Sequence, residues 1–89
     1  MLLVSLCSSA FGTSVLLKWK QSHTKGVTRN CVYYLHPPSG EPQQIYCSTT
    51  PTTTYTDHAV LPGHTYHYGV TSLKGIEESK YDKVNVVVK

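Results

Sequence analysis

The chain has 89 residues, a formal charge of +3, three cysteines and seven tyrosines. A chain this short holds one core, so residues 1–89 are read as a single domain that buries about 60–65% of its unfolded surface. The charge is too mild and too scattered to point to nucleic acid, and no apolar run approaches the roughly 20 residues that span a bilayer.

Residues 1–10 (MLLVSLCSSA) admit two readings. One is a first strand with Val4 and Leu6 facing inward. The other is the remnant of a secretory leader ending at Ser8, Ser9 and Ala10. The stretch lacks a basic start and is shorter than the ~15–30 residues of a leader, which favours the strand. A turn follows at residues 11–14. Val15, Leu17 and Trp19 then alternate with Leu16, Lys18 and Lys20, giving one buried and one wetter face. Burying Trp19 contributes roughly 4–6 kcal/mol as an upper figure.

After a polar loop at residues 21–26, residues 27–35 read as a strand. Asn30, Val32 and Tyr34 share one face; Arg29, Cys31 and Tyr33 share the other. The three prolines of residues 36–42 cannot sit inside a ladder, so this segment is a hairpin connection to a strand at residues 43–47. Centred on Ser39, the hairpin sets Val32 against Tyr46 and Cys31 against Cys47. Directly opposed residues lie about 4.5–5.5 Å apart, within reach of a disulfide. Cys31 and Cys47 are therefore a candidate disulfide; the alternative is two free thiols in a reducing compartment. Cys7 is left over, and no C-x-x-C supports a zinc or redox motif.

Residues 48–54 (STTPTTT) form a polar connector, with O-glycosylation as the functional alternative. Two strand-like runs follow, Tyr55 in the first and residues 66–72 in the second, joined by a change of direction at Pro62-Gly63. Tyr66, Tyr68, Val70 and Ser72 share a face; His67, Gly69 and Thr71 make a poor core on the other. Tyr66 is a candidate tyrosine corner, its hydroxyl placed to meet nearby backbone. Trp19, Val32, Tyr66, Tyr68 and Val70 make up the candidate core. Residues 74–80 (KGIEESK) read as an exposed loop, with Lys74, Gly75, Ile76 and Glu77 as its candidate binding residues. A last strand over residues 81–89 closes the fold, with Val84, Val86 and Val88 on one face and Asn85 and Val87 on the other.

Several of these segments together resemble a fibronectin type III domain: SVLLKW (14–19), GVT (26–28), Val32-Tyr33, TYTD (54–57) and PGHTYHYGVT (62–71). Trp19 and Tyr66 stand where that family keeps its second-strand Trp and its corner Tyr, and residues 75–81 resemble such domains in bacterial secreted multidomain proteins. The resemblance implies an all-β, seven-stranded immunoglobulin-like β-sandwich. Asn30 stands where the family usually has an aromatic, and Gly69 where a β-branched residue is usual, which weakens that strand.

Little in the chain suggests catalysis. His23, His36, His58, His64 and His67 have no carboxylate or thiol at ligand spacing. His64 and His67 point to opposite faces of a strand, and Asp57 stands alone. Nucleophile-elbow, zincin and phosphate-loop motifs are absent, so no catalytic residue, metal ligand or cofactor is expected. Lys18 and Lys20, joined by Lys25 and Arg29, read as a solvated sheet face, with an anionic polysaccharide or a membrane as the alternative contact. The resemblance implies a non-catalytic spacer or interaction module of a larger extracellular protein, monomeric and beside carbohydrate-active domains. The alternative is a stand-alone domain that recognises a protein or a polysaccharide through the loops at residues 21–26, 50–55 and 74–80.

Overall fold

The computed structural model describes residues 9–11, 14–21, 26–36 and 40–88, the first of these as backbone alone. Among them every regular element is a strand: β1 (Ser9–Phe11), β2 (Ser14–Lys18), β3 (Arg29–Tyr34), β4 (Gln43–Cys47), β5 (Thr54–Asp57), β6 (Thr65–Lys74), β7 (Glu77–Glu78) and β8 (Asp82–Val87). The sheet formed by β1, β2 and β5 is antiparallel throughout. The second runs β4-β3-β6, with β7 and β8 both on the free side of β6. Leu73 faces Glu78 and Val70 faces Asp82, so three steps along β6 match four along its neighbour. β7 and β8 are thus one strand broken by a bulge at residues 79–81. Counted so, the architecture is an all-β, seven-stranded immunoglobulin-like sandwich.

Its core is built by period-two alternation from both sheets. Val15 and Leu17 of β2 meet Val32 of β3, Tyr68 and Val70 of β6, and Val84 and Val86 of β8, with Trp19, Val60 and Val88 buried beside them. Each such valine contributes roughly 1.5–3 kcal/mol by leaving water. Trp19 lies just beyond β2, where its backbone N–H donates to the Thr53 carbonyl (2.9 Å). Tyr66 is half-buried and packs against this core, while its hydroxyl accepts from the Leu61 N–H at 2.7 Å. That contact is a tyrosine corner closing the turn at Pro62-Gly63, where Gly63 has φ 84°. Tyr46 of β4 stacks on Tyr55 of β5 (centroids 4.6 Å), closing one side between the sheets.

Several expectations need correction. β1 reaches Phe11, which lies opposite Ser14, so the first strand runs further than residue 10; Val4 and Leu6 fall outside the described residues. The outer face of β6 is not poorly covered: Thr71 and Leu73 are buried there, alongside a second apolar cluster of Cys31, Tyr33 and Leu73 flanked by Leu35 and Cys47. Gly69 belongs to this layer. A Cβ at that position would lie 2.8 Å from Tyr81 Cδ1 and 2.9 Å from Leu35 Cδ2. Its missing side chain is what lets Tyr81 and Leu35 settle on the strand. Residues 74–80 are not an open loop either, because β6 and β7 continue the ladder to Lys74 and Glu77.

Candidate interaction surfaces and buried polar centres

The four candidate binding residues sit together on a two-residue hairpin. Lys74 pairs with Glu77, leaving Gly75 and Ile76 as the turn, and the Gly75 φ of 63° suits the first central position of a type II′ turn. Ile76 is 99% exposed at the tip. The hairpin is braced from the side by Thr28. The Thr28 N–H and hydroxyl both donate to the Leu73 carbonyl (2.8 and 3.1 Å), and the hydroxyl accepts from the Gly75 N–H (3.3 Å). Lys74 also passes close over Gly26, whose added Cβ would lie 3.1 Å from Lys74 Cε. Thr28 gives no sign of this role in the sequence, because its partners lie 45 and 47 residues away.

The other two loops named as candidates are partly tied down inside. Asn30 is fully buried, and its side-chain amide donates to Gln21 Oε1 and to the Thr71 carbonyl, each at 3.2 Å. Its Oδ1 accepts from the Gln21 carboxamide and from the Thr52 N–H (3.0 Å). Ser48 completes the arrangement by accepting from the Asn30 N–H at 2.9 Å. Asn30 is thus a hydrogen-bonded centre tying the second sheet to Gln21, beyond β2, and to the connector at residues 48–54. Gln21 and Thr52 serve packing here more than recognition.

Asp57, expected to stand alone, is 2% exposed and fully engaged. It accepts from the hydroxyls of Tyr34 and Tyr68 (2.7 Å for Tyr68) and from the Ala59 N–H at 3.0 Å. Burial first, and then the hydrogen bond to this carboxylate, pushes both phenols well above their ordinary range. A carboxylate sealed from solvent by its own donors holds the fold together and has no opening to a substrate. Glu78, an exposed residue on the outer face, accepts from the Tyr33 and Thr71 hydroxyls, both at 2.6 Å.

Cys31 and Cys47 lie opposite each other and are joined by a disulfide, their Cα atoms 4.1 Å apart. Lys18, Lys20 and Arg29 are exposed; Lys25 and His23 lie outside the described residues. His36 meets His67 edge to face (centroids 4.7 Å), but no group of three or more His, Cys, Asp or Glu among the described residues is placed to hold a metal ion. No helix among those residues is long and apolar enough to cross a membrane.

No protein-family profile matches the sequence, and no curated protein does. Solved structures do. A structure described as FN3tt mut superposes with a TM-score of 0.71 at 16% identity, over 97% of this chain and 88% of the other. The sixth fibronectin type III domain of human fibronectin type III domain containing protein 3 gives 0.74 at 21% identity, over 92% and 78%. A pectate lyase, Pel3 from Pectobacterium carotovorum, gives 0.72 at 21% identity; all of this chain is covered, but only 26% of that one. At such identities the likeness is one of fold. The fold is the fibronectin type III sandwich.

Proposed function

We propose that this chain is a single, non-catalytic domain that serves as a monomeric spacer or interaction module in a larger extracellular protein, beside carbohydrate-active domains. The observation that carries this reading is the pectate lyase match, in which a sandwich of this shape makes up about a quarter of a longer chain. The disulfide between Cys31 and Cys47 supports an oxidising compartment. Sequencing the parent gene tests the proposal. Flanking catalytic or binding domains are expected; a reading frame bounded by this domain alone would overturn it.

A second reading is favoured by one feature, the bare Ile76 on a braced hairpin. A rigid turn that presents an apolar side chain loses little entropy on binding, which suits recognition of a protein or glycan. Retention of the domain on a protein or glycan array, abolished by Ile76→Ser, separates this reading from a passive spacer.

A further inference from the structure

The end of the sandwich opposite the hairpin holds a different kind of surface. There β3 ends while β4 and β6 begin, and a groove of about 390 Å³ opens between Tyr34, His36 and Gln43 on one side and residues 64–67 on the other. This falls within the range of small-ligand sites, near its lower end.

The walls are set in advance. Tyr34 and Tyr66 have their hydroxyls engaged elsewhere, by Asp57 and by the Leu61 N–H, so each offers its ring to the groove. His67 is held through Nδ1 by Asn85 Oδ1 at 2.6 Å, which leaves Nε2 free to accept. His36 packs against it at 90°. His64, Thr65 and Gln43 complete the lining with exposed polar groups.

Among the described residues, no Asp, Glu, Lys or Arg lines this groove. An ionic ligand would find no opposite charge among those residues to pair with. The polar groups that are present, imidazole, carboxamide and hydroxyl, both donate and accept. Sugar hydroxyls also do both, and the C–H face of a sugar ring suits the apolar ring of a fixed tyrosine. We infer that this groove binds a neutral saccharide.

The inference deepens the interaction-module reading but uses the other end of the domain from the hairpin, so failure at the groove is distinguishable from failure at Ile76. The test is an NMR titration of the full 89-residue chain with neutral sugars (cellobiose, maltose and a mannan fragment). A galacturonate oligomer and a proline-rich peptide are run in parallel. Saturable shifts confined to the groove residues are expected with at least one neutral sugar. Affinity should drop at least about tenfold in the double variant Gln43→Ala/His64→Ala, with its melting unchanged because both side chains are exposed. Shifts with galacturonate alone or with the peptide alone, shifts centred elsewhere, or no shifts with any neutral sugar would each overturn it. Array binding through Ile76 is expected to survive the double variant, so a failed groove leaves the hairpin reading intact.

Discussion

Gly69 illustrates how one residue's absence of a side chain sets a layer of packing. It lies in β6 between Tyr33 and Lys83 on the neighbouring strands, and Tyr81 and Leu35 occupy the space its Cβ would take. Replacing glycine in a strand interior ordinarily gains about 0.5–1 kcal/mol in chain entropy. Overpacking of a filled site costs about 1–3 kcal/mol, which is the larger effect. Gly69→Ala is therefore expected to destabilise the domain by about 1 kcal/mol in urea unfolding, and by less when Tyr81→Ala has already vacated part of the site. Equal effects in both backgrounds would show that Tyr81 does not use the gap. The role of Gly69 was hidden in the sequence for a physical reason. Alternation tells which face a side chain takes, but not what arrives from elsewhere to cover it. The same limit hid Asn30, whose partners are 9, 18, 22 and 41 residues distant, and Asp57, reached by Tyr34 from 23 residues away.

At the scale of elements, the two hairpins of the second sheet contrast in how readable they were. The pairings of Cys31 with Cys47 and Val32 with Tyr46 follow from counting outward from Ser39, because both arms carry strand-forming residues and the prolines bound the connection; Tyr33 and Tyr34 pair one residue off that count, with Gln44 and Gln43. The β6–β7 hairpin is built from KGIE, in which only Gly75 signals a turn, so its pairing emerges only with the strands in place. Among the described residues β4 has a strand partner on one side, namely β3, and that ladder is itself interrupted between Val32 and Tyr33. The disulfide compensates by tying β4 to the neighbour it has. Its 16-residue separation corresponds to roughly 3 kcal/mol of unfolded-state entropy. Reduction should accordingly lower the unfolding free energy by up to about 3 kcal/mol, and in hydrogen exchange the amides of β4 should lose protection before those of β6. Uniform loss across both strands would mean that the bond constrains only the unfolded chain.

For the molecule as a whole, the phenols set a limit on the alkaline side. Tyr33, Tyr34 and Tyr68 are all pushed above the ordinary tyrosine range, in each case by burial first and then by a hydrogen bond to a carboxylate; Tyr55 is raised too, by burial and then by Asp57. The native state therefore keeps these protons at a pH where the unfolded chain, titrating near pH 10, releases them. With more protons bound in the folded form, stability falls as pH rises, and the contribution of these groups is fully present only below about pH 10. Urea midpoints measured from neutral pH upward should be flat below that point and then decline. The decline should be shallower in Tyr34→Phe, which is less stable at neutral pH because Asp57 loses a donor but has one fewer group to titrate. Phenolate absorbance gives an independent reading. Tyr33, Tyr34 and Tyr68 should ionise only together with unfolding. Titration of those three phenols near pH 10 in a still-folded protein would refute the idea that Asp57 and its two phenols lock one sheet to the other, and with it the account of why Asp57 is buried.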